Sequence, residues 1–128
     1  MKQFLLPALL LFVSMLSTNV SSADDAPFRH AVFFKFTETA TEEGIQKVVD
    51  EFLLLKEKID TIVDIEWGTS ESVEGLDGGF THVFFVTFAD VEGLKTYLPH
   101  PAHEAFVEIL KPILDDVFVF DYTAKKPK

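Results

Sequence analysis

Two runs of aromatic and β-branched residues constrain the fold of this chain more than any other feature. They are FRHAVFFKFT at 28–37 and FTHVFFVTF at 80–88, and in each run apolar residues occupy both odd and even positions. A strand covered on one face alternates apolar with polar residues, whereas a strand covered on both faces is apolar almost throughout. We therefore predict two strands that bury apolar side chains on both faces.

A long amphipathic helix is predicted after the first of these strands. Thr39 and Glu42 have the spacing of a capping box, which marks where the strand ends and the helix begins. Apolar residues then recur at helical spacing from Ile45 to Ile59, while charged residues occupy the opposite side. The helix must therefore lie with one face against another element.

Two further strands are predicted from period-two alternation, at 62–68 and at 117–122. In the first of them, Val63, Ile65 and Trp67 are expected to share one face. The polar, glycine-containing segment 69–79 predicts a loop long enough to be a candidate lid.

The second helix is predicted to be interrupted. Asp90 can cap a short piece, which Pro99 and Pro101 separate from the next piece. His100, between the two prolines, is the expected N-cap of the second piece. The resulting β-α-β-β-α-β order indicates an α+β fold with a ferredoxin-like sheet and both helices on one face.

Helices on one face leave the other face of the sheet uncovered. That face carries Phe33 and Phe85, from the two strands that are apolar on both sides. Exposed apolar patches of this size are typical of interfaces. We therefore predict a homodimer in which two sheets pack face to face, forming a dimeric α+β barrel.

Residues 1–23 have the three parts of a secretory signal peptide: Lys2, an apolar run from Phe4 to Leu16, and Ser-Ser-Ala at 21–23. The apolar run is too short to span a bilayer, although an uncleaved anchor is the alternative interpretation. We predict cleavage after Ala23, which leaves a single domain at 24–128. The mature protein is then exported, either to a periplasm or out of the cell.

The composition narrows the possible partners and chemistry. With 21 Asp and Glu against 11 Lys and Arg, the chain has a formal charge of −10. Nucleic acids and anionic membranes are therefore not expected as partners, because both require clustered positive charge. The absence of cysteine excludes disulfides, thiolate metal ligands and thiol catalysis.

The histidines and one tyrosine are the candidate functional groups. Strand alternation places His30 and His82 on one face of the sheet, and Tyr97 and His103 flank the break in the second helix. If that face lies under the helices, all four can converge on one apolar pocket for a small organic ligand. Its expected walls are five apolar residues: Val48, Val49, Phe52, Phe84 and Phe106.

Such a pocket suits acid/base chemistry. A neutral imidazole can take a proton, and a phenol can donate a hydrogen bond to a carbonyl oxygen that gains charge as an enolate forms. A zinc site is not predicted, because His100 and His103 are three residues apart across a helix start and no third ligand is evident. A buried structural role for the same side chains is the alternative.

Four motifs resemble the stress-responsive dimeric α/β-barrel (Dabb) family: RHAVFFKF at 29–36, FTH at 80–82, YLPHPAH at 97–103 and VFDY at 119–122. The resemblance spans residues 28–123 and implies the dimeric barrel fold. Within the family the chain is similar to a plant cyclase that closes a linear polyketide by aldol condensation without a cofactor. That resemblance implies that His103 is a general base and Tyr97 an oxyanion donor, with His30 and His82 as further pocket residues.

Three functions are compatible with these observations. The first is binding of a small hydrophobic or aromatic molecule, with cofactor-independent cyclase or lyase chemistry. The second is a non-catalytic stress-response or structural dimer, and the third is a cofactor-free monooxygenase or haem-binding relative. An open cavity that touches Tyr97 and His103 would favour the first over the second.

If the protein is exported and its signal peptide is cleaved, the mature protein should have a defined mass. Cleavage after Ala23 should give a protein that begins at Asp24, because the small residues at 21–23 fit a signal peptidase site. Intact-mass spectrometry of the protein recovered from the exported fraction measures this. A mass that includes residues 1–23 would contradict cleavage.

Overall fold

The computed structural model describes residues 26–128, so the predicted signal peptide lies outside the described residues. No helix within this part of the chain is long and apolar enough to cross a bilayer. The elements follow in the order β1 (Phe28–Phe36), α1 (Glu42–Lys58), β2 (Ile62–Thr69), β3 (His82–Phe88), α2 (Val91–Tyr97), α3 (Pro101–Leu110), a 3-10 turn (Lys111–Ile113) and β4 (Leu114–Thr123).

The four strands form one antiparallel sheet in the order β2-β3-β1-β4. The predicted ferredoxin-like α+β fold is thereby confirmed. The two strands predicted to be apolar on both faces, β1 and β3, are the central pair. Their inner-face side chains include Phe34 and Phe84, which are 1% and 0% exposed.

The core lies between this inner face and the helices. Helix α1 contributes four buried residues: Val48, Val49, Phe52 and Leu55. The ring of Phe52 stacks on that of Phe84, with centroids 4.2 Å apart and an interplanar angle of 7°. Burial of such rings is a large part of what holds a helix on a sheet.

The capping box predicted at Thr39 and Glu42 is wrong. A turn closed by the bond from the Ala40 N–H to the Thr37 carbonyl oxygen precedes the helix and contains Thr39. The N-cap is Thr41, whose Oγ1 accepts a hydrogen bond from the Gly44 N–H at 3.0 Å. Glu42 is therefore the first helical residue, too early to return a bond to the cap.

The alternation predicted for β2 is also wrong at its start. The register against β3 shifts between Ile62 and Asp64, so Val63 is an extra residue in a bulge. Ile62 consequently lies opposite Phe88 and is 6% exposed, whereas Val63 is 56% exposed. Sequence alternation cannot show a bulge, because one added residue exchanges the two faces.

The caps predicted for the interrupted second helix are confirmed. Asp90 accepts a hydrogen bond from the Gly93 N–H at the start of α2. His100 Nδ1 accepts one from the Ala102 N–H at 3.0 Å and so caps α3, with Pro101 as its first residue. The strands differ from expectation at their ends, since β3 begins at His82 and β4 extends over Leu114–Thr123.

The outer face of the sheet carries the predicted apolar patch. Phe33 and Phe85 lie there half-buried, and β4 adds Phe118 and Phe120, which are 51% and 56% exposed. The Phe33 and Phe118 rings lie 5.7 Å apart, and the Arg29 guanidinium lies 5.2 Å from the centre of the Phe85 ring. No helix within residues 26–128 covers this face, and only Phe80 of the loop between β2 and β3 packs against Phe118, with ring centres 6.4 Å apart.

The corrected cap gives a paired test of the start of α1. Thr41→Ala should lower the free energy of unfolding by about 1 kcal/mol, because the Gly44 N–H loses its partner. Thr39→Ala is the matched control and should change it by less than about 0.5 kcal/mol, as expected for an exposed turn residue. Urea denaturation of both variants measures the difference, and equal losses would contradict the assignment of the cap.

Candidate functional site

A cavity of about 240 Å³ lies between the inner face of the sheet and α3. Three of its lining side chains can exchange or donate a proton: His30, Tyr97 and His103. The other lining side chains are apolar and come mainly from β1, α3 and β4, with Phe52 from α1. The cavity therefore holds a few polar groups in an apolar shell, as small-molecule sites do.

His30 is held in place by a carboxylate across the strand pair. The antiparallel register places His30 of β1 opposite Asp121 of β4, and the His30 Nδ1 to Asp121 Oδ1 distance is 2.6 Å. A carboxylate oxygen accepts, so Nδ1 is the donor of this hydrogen bond. His30 itself is 5% exposed.

Asp121 is a site residue that was not predicted from the sequence. The signal was present, because Asp121 lies two residues after Val119 and so shares its inner face on β4. Only the pairing of β4 with β1 brings the carboxylate to His30, however, and that register is not evident from alternation alone.

Tyr97 is the last residue of α2 and is 1% exposed. Its ring meets the His30 ring edge-on, with centroids 5.7 Å apart, and packs against Phe88 at 5.3 Å. Burial raises the pKa of the Tyr97 phenol well above its ordinary value. The hydroxyl therefore stays protonated and can act as a hydrogen-bond donor within the cavity.

His103 is placed by the break between α2 and α3. Its Nδ1 lies 2.9 Å from the Leu98 carbonyl oxygen, which can only accept, so Nδ1 donates and Nε2 keeps its lone pair. Burial lowers the pKa of the imidazole, and the bond to Leu98 offsets part of that shift. His103 is therefore a neutral base near pH 7, with its ring centre 4.4 Å from that of Tyr97.

His103 also has access to solvent. Together with Leu98 and Val107 it lines an open surface cleft of about 580 Å³ along α3, as well as the inner cavity. The imidazole thus lies between the two spaces. A proton taken up inside can be exchanged with water outside, which a base needs for repeated use.

His82 lies apart from this group. It does not line the cavity, and its ring packs against Phe36 at 5.1 Å and Trp67 at 6.2 Å. In the register, His82 pairs with Phe34 whereas His30 pairs with Val86, four positions along β1. At about 3.4 Å per residue that is roughly 14 Å along the strand, so a shared face does not mean a shared pocket.

The five apolar wall residues predicted from the sequence also fall into two groups, those that line the cavity and those that do not. Phe52 and Phe106 line the cavity. Val48, Val49 and Phe84 are no more than 2% exposed and belong to the packed core behind it. No group of three His, Asp or Glu side chains within residues 26–128 is arranged to hold a metal ion.

The arrangement can perform proton transfer at a carbon next to a carbonyl. A neutral imidazole and a protonated phenol line the same small apolar space, which weakens competition from water and strengthens their interaction with a developing charge. The third group, His30, is fixed by Asp121 and contacts the Tyr97 ring. It can therefore hold Tyr97 in position.

Curated relatives cover most of the described chain. The stress-response A/B barrel domain-containing protein HS1 of Arabidopsis thaliana is 33% identical over 96 residues, which are 75% of this chain and 88% of HS1. Olivetolic acid cyclase of Cannabis sativa is 30% identical over 98 residues, which are 77% of this chain and 97% of the cyclase.

Solved structures agree with the fold, and a family model identifies it. The crystal structure of At3g17210 from Arabidopsis thaliana superposes with a TM-score of 0.75 at 31% identity, covering 79% of this chain and 98% of that one. A dimeric protein with a ferredoxin-like fold from Bacteroides fragilis gives 0.62 at 24% identity, covering 77% and 96%. The model described as the stress responsive A/B barrel domain (Dabb) matches residues 28–124, and the chain therefore belongs to that family.

Proposed function

We propose that this protein binds a small, mostly apolar carbonyl compound and catalyses cofactor-independent acid/base chemistry of the cyclase or lyase kind. One observation carries the proposal: Tyr97 and His103 line the same apolar cavity with their ring centres 4.4 Å apart. His103 is the general base and Tyr97 the hydrogen-bond donor to the carbonyl oxygen. The exported, mature chain is the active form.

The proposed step is enolisation. The C–H bond next to the carbonyl breaks, its proton moves to His103 Nε2, and its electron pair moves through the carbon–carbon bond to the carbonyl oxygen. Tyr97 donates a hydrogen bond to that oxygen as it becomes negative. The enolate carbon then adds to a second carbonyl carbon of the substrate, whose oxygen takes the proton from His103, or the enolate takes that proton back. In the lyase direction the same steps run in reverse, so that His103 deprotonates the hydroxyl, the carbon–carbon bond breaks and its electron pair becomes the enolate.

General physical chemistry gives the size of each contribution. A placed general base typically accelerates such a step by about 10² to 10⁴-fold. One donor aimed at a developing oxyanion contributes about 10² to 10³-fold in comparable sites. The similarity to olivetolic acid cyclase supports a cyclase-like use of this pair.

A non-catalytic role in a stress response is the second candidate, favoured by the similarity to HS1 at 33% identity. In that role the same side chains would only fill the core. The cavity of about 240 Å³ beside Tyr97 and His103 supports binding over simple filling.

Enolisation can be tested without knowing the natural substrate. We expect the protein to speed hydrogen–deuterium exchange at the α-carbon of cyclohexanone in D₂O, measured by NMR. His103→Ala and Tyr97→Phe should each lower the catalysed rate by about 10²-fold or more. Because burial lowers the pKa of His103, the rate should hold at neutral pH and fall only as pH drops through that lowered pKa.

Two variants on the same chain control for folding. His82→Ala removes a histidine that packs against Phe36 and Trp67 and does not line the cavity, and Tyr122→Phe removes a hydroxyl on the outer sheet face. Both should keep the exchange rate within a few-fold of the unmodified protein. Exchange that is equally slow in buffer and with the unmodified protein would contradict the catalytic role.

We infer that the protein works as a homodimer joined through the outer face of the sheet. The half-buried Phe33 and the exposed Phe118 form an aromatic pair on that face, and the exposed Phe120 shares the face. Burying several such rings supplies roughly 1.5–3 kcal/mol for each side chain. The fold of the dimeric Bacteroides fragilis protein supports the same assembly.

Phe118→Glu should convert the dimer into a monomer, because it places an unpaired carboxylate in an apolar interface at a cost of several kcal/mol. Phe118 is preferred to Phe85, since Arg29 lies over the Phe85 ring and could pair with a carboxylate there. Val73→Glu, in a fully exposed loop position, is the control and should leave the mass unchanged. Light scattering gives the mass, and a single-subunit mass for the unmodified protein would refute the dimer.

A further inference from the structure

The inner end of the cavity is closed by a wall of phenylalanine rings. Phe52 lines the cavity, and Phe84 lies directly behind it, with the two ring planes 7° from parallel at 4.2 Å. Phe34 also lines the cavity and packs against both rings, and Phe106 meets Phe52 edge-on at 4.9 Å. All four are at most 4% exposed, so the wall is dry and closely packed.

His82 lies behind this wall, on the side away from the cavity. The Trp67 ring lies 6.1 Å from Phe84 at 15° and 6.2 Å from His82 at 8°. Phe52, Phe84 and Trp67 therefore form a nearly parallel series of rings from the cavity to the far end of the sheet. This series separates His82 from Tyr97 and His103, although all three face the same side.

The size of the remaining space limits the ligand. Sites for drug-sized ligands usually occupy about 300–1,000 Å³. This cavity is smaller, at about 240 Å³, and its β4 wall ends in Val117 and Val119, which are 43% and 44% exposed. One ring of a ligand fits inside the cavity. An alkyl or acyl tail attached to that ring can extend only toward the solvent-exposed side.

We propose that Phe52 and Phe34, backed by Phe84, determine specificity by restricting the substrate to one compact ring that carries the reacting carbonyl. An extended alkyl or acyl tail is excluded from the inner end of the cavity. This inference rests on the proposed function, because it assigns the substrate class of the same site. Phe52 is the residue to change, since it alone of the stacked pair lines the cavity.

The test uses 4-alkylcyclohexanones with tails from methyl to pentyl, with affinity measured by calorimetry and turnover by α-carbon deuterium exchange. In the unmodified protein, affinity should not rise with tail length, because added methylenes stay in water. In Phe52→Ala the tail can enter the vacated space, and affinity should rise about fourfold for each methylene buried. Phe52→Leu also removes the ring, keeps more of the packing, and should show a smaller rise.

Leu55→Ala is the matched control. Leu55 lies on the same helix, is 1% exposed, and does not line the cavity. It should lose stability without gaining affinity for tailed rings. An equal gain in Leu55→Ala would show that loosening of the core, and not removal of the wall, admits the tail.

The outcomes separate this inference from the proposed function. If affinity rises with tail length in the unmodified protein as steeply as in Phe52→Ala, the exclusion of tails by Phe52 is refuted. The proposed binding and exchange activity are not affected by that result. If tailed rings bind better to Phe52→Ala but no protein catalyses exchange, the wall stands and the proposed catalysis is refuted. Failure of every ring to bind any of the proteins would overturn both.

Discussion

The parallel contact between Phe52 of α1 and Phe84 of β3 joins the helix layer to the centre of the sheet. It has this effect because β3 is a central strand, so a ring that packs on Phe84 is surrounded by neighbours on both sides. The same contact ends the cavity. Packing that holds the fold together and packing that shapes the ligand space are therefore one set of contacts, and a change at Phe52 affects both.

The break between α2 and α3 determines where the chemistry lies. Pro101 cannot donate a backbone hydrogen bond and starts a new helix, with His100 as its cap. The break leaves the Leu98 carbonyl oxygen free to accept from His103, which turns the other imidazole nitrogen into the base. The backbone of this segment thus fixes the tautomer of His103. The sheet forms the opposite wall of the cavity.

The sequence predicted the face of the sheet on which a side chain lies better than it predicted the position of that side chain along the strand. Strand alternation placed His30 and His82 on the strand faces that carry Phe34 and Phe84. It showed neither that this side lies under the helices nor that Phe34 and Phe84 fill the space beside His82. The exchange of faces at Val63 and the cap at Thr41 depend on one-residue shifts, which composition and periodicity do not resolve. Asp121 needed the register of β4 against β1, a contact between residues 91 positions apart.

Burial acts in opposite directions on the two groups proposed to do chemistry, and this makes them a usable pair. Removing water disfavours the charged form of either side chain, so it lowers the pKa of His103 and raises that of Tyr97. Both are consequently neutral at pH 7, one as a base and the other as a donor. A proton moved to His103 then creates a cation beside a new oxyanion in the same apolar space, and their attraction offsets the cost of forming each charge there.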